Sequence, residues 1–208
     1  MNEKNENKST GKKKVIFNIA FSAIFLSLSV VLDYVFKLIP FLQMPNGGGI
    51  TIGMLPLVLI SIICGGYYGL LSGIAYGVIN CFVIDAYGFN VYSFFLDYII
   101  AFAGFSIIAI FRKKILDGSK FYFVLGFVLG GIIRWISSGF SGVINAGLWG
   151  YDKEFLENIF GAGHGSKIWL YLYSFVYYNL PYIGVSVILC IVIGLILLKR
   201  INKINIEK

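Results

Sequence analysis

The feature that most constrains this chain is a series of long apolar segments separated by short polar or glycine-rich breaks. The segments run over residues 15–36, 50–64, 67–84, 91–111, 121–148 and 168–198. A membrane-spanning helix needs about 20 mostly apolar residues, and 58% of the 208 residues are hydrophobic while 13% are charged. The pattern predicts an all-α integral membrane protein of six transmembrane helices, with residues 15–200 as its membrane domain. The second segment is short, so we expect it to be tilted or partly re-entrant.

The basic residues predict how these helices are oriented. Residues 1–14 hold five lysines, the break at 112–120 holds four basic residues and residues 199–208 hold four more, out of 17 in all. Basic residues near span ends favour the cytoplasmic side. We therefore predict that both termini are cytoplasmic, with 1–14 and 201–208 as tails. The net charge of +7 then reflects topology, and no nucleic-acid partner is expected.

The sequence contains no pattern typical of an enzyme or a metal site. Cys64, Cys81 and Cys190 lie in apolar segments, at spacings unlike those of a zinc site or a redox pair. His164 is the single histidine and lies in a glycine-rich loop. There is no phosphate-binding loop, no serine elbow and no pair of intramembrane carboxylates at protease spacing. We expect core cysteines, no catalytic residue, no metal and no cofactor.

Ionisable residues inside apolar segments are costly and are therefore candidates for function. Asp97 lies well inside the fourth segment, where a carboxylate needs a cation, hydrogen-bond donors or a water-filled cavity. Arg134 lies in the fifth segment, where it either pairs with Asp97 or orders the interior of the bundle. Asp33 and Asp85 lie near segment ends, where we expect solvated carboxylates.

Aromatic residues make up 17% of the chain and collect toward the predicted outer ends of the later segments. They include Tyr87, Tyr92, Tyr98, Trp149, Tyr151, Tyr173, Tyr177, Tyr178 and Tyr182. Ring faces attract cations by about 0.5–2 kcal/mol each, so rings beside one buried carboxylate favour a small organic cation as ligand. An interfacial aromatic belt explains the same tyrosines without a ligand.

Small residues in the first segment predict a surface on which another helix packs. Ala20, Ala23 and Ser27 recur at spacings of three and four and therefore share one helical face. Small side chains let a second helix approach closely. The face serves either the docking of a partner or packing within the bundle.

Four motifs stand in the order expected of a known family. They are Met44–Thr51 leading into Met54-Leu55-Pro56, Leu96-Asp97-Tyr98 with Ala101-Phe102, Arg134 with Ser138 and Gly142, and Tyr178-Asn179 with Tyr182. Over about residues 16–200 the chain resembles the thiamine-specific S components of energy-coupling factor (ECF) transporters. The resemblance implies a six-helix subunit that captures thiamine outside. It would release thiamine inward when docked on a transmembrane coupling subunit and two ATPases.

The resemblance also implies roles for individual residues. The expected ligand-binding residues are Asp97, Tyr98, Tyr87, Asn179, Tyr173, Ser138, Trp149 and Tyr182. Asp97 would face the cationic ligand, and Asn179 would hydrogen-bond its pyrimidine ring. The loop at 37–50, rich in proline and glycine, would cover the pocket as a lid. The residues expected to dock the coupling subunit are Ala20, Ala23 and Ser27.

The chain departs from the family pattern at three places. Ser138 stands where a pocket histidine is expected. Ala146 stands where a stacking Trp or Phe is expected, and Trp149 is the candidate substitute. The spacing between Tyr173-Ser174 and Tyr178-Asn179 is one residue longer than the family's, so either Tyr173 or Ser174 holds the position of the pocket tyrosine.

We therefore expect a multi-pass protein of the cell membrane that binds thiamine with high affinity and is not an enzyme. One alternative is an S component for a thiamine precursor or another small vitamin. Two further alternatives are an autonomous transporter and a membrane-embedded enzyme that uses Asp97 and Arg134.

Overall fold

The structure, a computed structural model, describes residues 2–85 and 90–201, without the side chains of 2–10, 85, 200 and 201. Within these ranges the chain forms seven helices longer than three residues, one short 3₁₀ helix and no strand. They are α1 (Asn2–Lys37), α2 (Met54–Ile63), α3 (Gly66–Ile79 continued by Asn80–Asp85), α4 (Val91–Leu116), α5 (Lys120–Ile144), α6 (Lys153–Phe160) and α7 (Lys167–Leu172, Tyr173–Asn179 and Leu180–Ile201). The predicted all-α class is confirmed.

Five helices are long and apolar enough to cross a membrane, namely α1, α3, α4, α5 and α7. The second predicted segment, 50–64, forms a helix of only 10 residues, α2. Every side chain of α2 is buried, because the longer helices surround it. Where six spans were predicted, the described residues form five helices of spanning length and one short apolar helix.

A guanidinium at the end of α4 caps the short helix α2. The last carbonyls of any helix lack partners within the helix. Arg112 donates from Nε to the carbonyl of Ile62 at 2.6 Å and from Nη2 to that of Ile63 at 2.8 Å. These two bonds fix the end of α2 against α4.

The first helix begins earlier than the apolar pattern suggests. α1 starts at Asn2, so most of the polar segment 1–14 is helical and continuous with the apolar segment that follows. The stretch of α1 with the length and composition of a membrane span is Gly11–Lys37.

The loop between α1 and α2 is a compact hairpin-like turn. It contains a short 3₁₀ helix, Pro40–Leu42, and an antiparallel bridge between Gln43 and Gly49. The N–H of Met44 donates to the carbonyl of Gly48 at 2.9 Å. Gly48 has φ of +77°, and a Cβ there would lie 3.0 Å from the ring of Tyr182. Glycine is therefore required where the loop passes over α7.

Candidate functional site

A cavity of about 110 Å³ lies where α1, α3, α4, α5 and α7 meet beneath the loop after α1. Six of the eight predicted ligand-binding residues line it, namely Asp97, Tyr98, Ser138, Trp149, Asn179 and Tyr182. Tyr173 does not line the cavity. Tyr87 lies outside the described residues.

The carboxylate of Asp97 is held by neutral hydroxyl groups. Ser93, one turn earlier on α4, donates from Oγ to Oδ2 at 2.8 Å, and Ser141 of α5 donates to the same oxygen. No ion pair joins Asp97 to Arg134 within 4 Å in the part of the chain that the structure describes. The predicted alternative of a direct pair is therefore wrong. Asp97 presents its negative charge to the cavity without a bonded cation.

Arg134 lies on the cavity wall among weak partners. It is 6% exposed, its Nη1 donates to the sulfur of Met54 at 2.9 Å, and its guanidinium carbon lies 4.7 Å from the centre of the Phe102 ring. A thioether is a weak acceptor. The ring of Tyr182 lies farther off, at 6.0 Å.

Three helices widen into π-helical turns beside the cavity. The turns are Asn80–Asp85 in α3, Phe94–Ile100 in α4 and Tyr173–Asn179 in α7. Such turns are rare and often occur at functional sites. They carry seven cavity-lining residues, namely Asn80, Ile84, Asp97, Tyr98, Ser174, Tyr178 and Asn179. Hydrophobic periodicity does not reveal them.

Side chains of α5 bond to carbonyls in two of these turns. The indole N–H of Trp135 donates to the carbonyl of Phe175 at 2.7 Å, and the hydroxyl of Ser137 donates to that of Leu96. The carbonyl of Phe175 also accepts from the N–H of Leu180, so the indole adds a second bond to it. These bonds position α4 and α7 relative to α5.

The amide of Asn179 is oriented by its neighbours. Its Nδ2 donates to the carbonyl of Ser174 at 2.9 Å, and its Oδ1 accepts from the hydroxyl of Tyr182 at 2.8 Å. Ser138 lies opposite, and its carbonyl is 3.4 Å from the same Nδ2. The cavity therefore has an amide edge facing α5.

Two tyrosines outside the predicted ligand-binding set hold the loop over the cavity. The hydroxyl of Tyr178 accepts from the N–H of Asn46 and donates to the carbonyl of Gly47, both at 2.9 Å. The hydroxyl of Tyr151 accepts from Nδ2 of Asn46 at 2.7 Å. We call Asn46, Gly47, Tyr151 and Tyr178 the latch. Burial raises the pKa of Tyr151 above its usual 10.0, so its phenol stays protonated at neutral pH.

Tyr173 packs against the two tyrosines of the latch. Its ring packs edge-on against Tyr151, with centroids 4.9 Å apart, and lies 6.1 Å from Tyr178. Ser174, the next residue, lines the cavity. Of the two residues expected to share the position of the pocket tyrosine, the structure thus places Ser174 at the cavity.

The prediction that Asp33 is a solvated helix end is wrong. Asp33 is 6% exposed and lines the cavity. It accepts from the hydroxyl of Thr51, from the N–H of Gly53 at 3.1 Å and from Nδ2 of Asn80 at 3.3 Å. A buried carboxylate must be hydrogen-bonded, and here the donors come from the chain just after the loop and from α3. The side chain of Asp85 is not described.

The sequence profile of the thiamine transporter protein family matches residues 19–206. The chain belongs to this family. A curated relative, the thiamine transporter ThiT of Bacillus subtilis (strain 168), is 27% identical over 190 residues, covering 88% of this chain and 90% of the relative. A solved structure of ThiT from Listeria monocytogenes superposes with a TM-score of 0.65 at 21% identity. It covers 90% of this chain and 96% of that one, and the likeness shows a shared fold. The resemblance read from the motifs is confirmed.

In this member of the thiamine transporter protein family, Trp149 supplies a ring at the cavity, whereas Ala146 stands at the position where an aromatic residue was expected. Ala146 is buried but does not line the cavity, whereas Trp149 is half-buried and does. The turn after α5 brings the indole round, because the N–H of Trp149 bonds back to the carbonyls of Asn145 at 3.3 Å and Ala146 at 3.2 Å.

The small residues of α1 point away from the bundle of this family member. Ala20, Ala23 and Ser27 are exposed, while the opposite face of α1 buries Asn18 and Ser29. Packing of the three small residues within the bundle is therefore excluded. The hydroxyl of Ser27 donates to the carbonyl of Ala23 at 2.9 Å, so its proton needs no partner outside the helix.

Proposed function

We propose that this chain is a thiamine-binding S component of an ECF-type transporter. The observation that carries the proposal is Asp97, a carboxylate on the wall of a cavity among apolar helices. Among the described residues it is held by the hydroxyls of Ser93, Ser138 and Ser141 and forms no ion pair. A carboxylate without a directly bonded cation is costly in such a place. A cationic ligand removes that cost, and thiamine carries its positive charge on a flat thiazolium ring.

The other predicted residues complete the proposed site. Trp149, Tyr98 and Tyr182 offer ring faces or edges to a flat cation. The oriented amide of Asn179 faces the pyrimidine ring, beside Ser138. Tyr173 acts through the latch, and Tyr87 stays a predicted contact. The loop at 37–50 is the lid, because Asn46 to Gly49 form part of the cavity wall.

We propose that the chain crosses the cell membrane six times, with α2 as the sixth span. Its 10 residues are too few for the full hydrocarbon thickness, so the loop before it supplies the remaining depth. Arg112 satisfies the last carbonyls of α2 at the other end. Both termini are cytoplasmic in this topology, because the basic residues collect on that side.

The exposed small residues of α1 are the proposed docking face for the coupling subunit. A ligand shifts a conformational equilibrium only through its differential affinity for the two states, so tight binding cannot by itself drive release. The ATPases of the coupling module supply that work. The chain is a binding subunit and not an enzyme in this proposal.

The test is calorimetric titration of the purified protein with thiamine, comparing wild type with Asp97→Asn. Removing one partner of a buried charge pair costs about 2–5 kcal/mol, so we expect affinity to fall about 30-fold or more. The matched control is Asp117→Asn, which changes an exposed carboxylate in the loop before α5 and leaves affinity unchanged. Equal affinities for wild type and Asp97→Asn contradict the proposal.

Two further measurements separate the alternatives. Tighter binding of the free hydroxymethylpyrimidine than of thiamine identifies a precursor-specific S component. Uptake of thiamine into liposomes that contain this chain alone identifies an autonomous transporter. The S-component proposal requires binding with negligible flux in that assay.

A further inference from the structure

Arg134 lines the cavity with donors that the protein leaves unused. The side chain is 6% exposed, and its Nε has no hydrogen-bond partner among the described residues. The one hydrogen bond that the described residues offer it is the contact from Nη1 to the Met54 sulfur at 2.9 Å. A buried donor without a partner costs about 1–3 kcal/mol, and more when it is charged.

The other charged groups on the cavity wall form hydrogen bonds with the protein. Asp33 accepts from Thr51, Gly53 and Asn80, and Lys37 donates to the carbonyl of Ile84. Asp97 is held by serines and forms no ion pair with Arg134 within the described residues. The cavity wall thus carries a negative group, Asp97, and a positive group, Arg134. The hydrogen-bond partners of each are neutral groups of the protein.

The shape around Arg134 selects a flat partner. Its guanidinium lies over Phe102 and near Tyr182, at 4.7 and 6.0 Å from the ring centres. Ser138 lies one turn along the same face of α5 and also lines the cavity. A serine side chain is small, so it occupies little of the cavity beside the guanidinium.

We propose that Arg134 is a specificity-determining residue that donates a hydrogen bond to an acceptor ring nitrogen of the ligand. The inference rests on the proposed function, because the pyrimidine ring of thiamine carries two such nitrogens. A phosphate is the poorer occupant, since Asp33 and Asp97 line the same cavity and would repel it. The site therefore binds a ligand with a cationic ring and an acceptor ring. The cationic ring faces Asp97, and the acceptor nitrogen faces Arg134.

The experiment compares thiamine with the two analogues in which one or the other pyrimidine ring nitrogen is replaced by CH. Affinities are measured by calorimetry for wild type, Arg134→Met and Arg134→Lys. In wild type, we expect one analogue to bind about 10- to 100-fold more weakly than thiamine, the range for a hydrogen bond to a charged group. In Arg134→Met, thiamine should weaken by a similar factor and its advantage over that analogue should disappear. Arg134→Lys should give an intermediate ratio, because it keeps the charge but not the planar fork.

A second variant keeps the proposal testable if Arg134→Met does not fold. Ser138→Leu keeps the guanidinium but fills the cavity beside it, so thiamine and the analogue should bind with equal, reduced affinity. Lys153→Met, which removes an exposed cation on α6, is the control and should keep the wild-type ratio.

The outcomes separate this inference from the proposed function. Tight thiamine binding by wild type with no discrimination against either analogue overturns the role of Arg134 alone. Discrimination that persists in folded Arg134→Met or in Ser138→Leu overturns it as well. Failure of wild type to bind thiamine at all overturns both.

Discussion

Tyr178→Phe removes one oxygen atom and opens the latch. The Tyr178 hydroxyl makes two hydrogen bonds to the loop, one from the N–H of Asn46 and one to the carbonyl of Gly47, each 2.9 Å long. One such bond contributes about 0.5–1.5 kcal/mol net. Losing both therefore shifts the closing equilibrium of the lid by about 1–3 kcal/mol, or about 5- to 150-fold.

The assay is stopped-flow dissociation of bound thiamine, followed by tryptophan fluorescence with Trp149 as the reporter in the cavity. If the closed lid limits release, the off-rate of Tyr178→Phe rises by that factor. Tyr151→Phe removes one bond, to Nδ2 of Asn46, and should give a smaller rise of about 2- to 10-fold.

The control is Tyr177→Phe, the same change at the adjacent residue, whose side chain is 55% exposed. Surface changes of this kind stay within about 0.5 kcal/mol, so its off-rate should stay within about twofold of wild type. An unchanged off-rate in Tyr178→Phe, or an equal rise in Tyr177→Phe, would refute the assignment of the latch.

Three further predictions address the bundle and its docking face. Asp33→Asn should lower stability by about 2 kcal/mol, because it weakens three charge-assisted bonds, and thermal unfolding should show no such loss for exposed Asp117→Asn. Gly73→Ala should destabilise by about 1–3 kcal/mol, since its Cβ would lie 2.7 Å from the Cα of Ala103, whereas Gly184→Ala meets nothing within 4 Å and should unfold like wild type. Ala23→Leu should retain thiamine binding in calorimetry and lose ATP-driven uptake with the coupling module, and full uptake would exclude this face as the docking surface.

The sequence predicts the helical fold because the membrane imposes one simple rule. Backbone groups in lipid must bond internally, so runs of apolar residues translate directly into helices. The rule says less about α2, whose apolar residues are shielded by other helices and whose last carbonyls are capped by Arg112. Hydropathy does not separate a short buried helix from a full span.

Site residues were predictable where a single residue is anomalous by itself. Asp97 is a charge inside an apolar segment, and no partner needs to be known to suspect it. Asp33 stands near a segment end, and its burial depends on donors 18 to 47 positions away in the chain. The latch joins Asn46 to tyrosines more than 100 positions away. Such pairings depend on tertiary packing, which local patterns do not encode.

The π-helical turn in α7 gives the chain a tolerance to insertion that a regular helix lacks. An α-helix that gains one residue must rotate everything beyond it by about 100°, since it has 3.6 residues per turn. A turn closed by i to i+5 bonds holds one residue more, so it would absorb locally the extra residue that the family pattern predicts between Tyr173 and Asn179. The helix Leu180–Ile201 then presents the same face to the bundle as it would without the extra residue. Specificity in such a chain can evolve by lengthening a turn beside the cavity while the membrane scaffold stays in register.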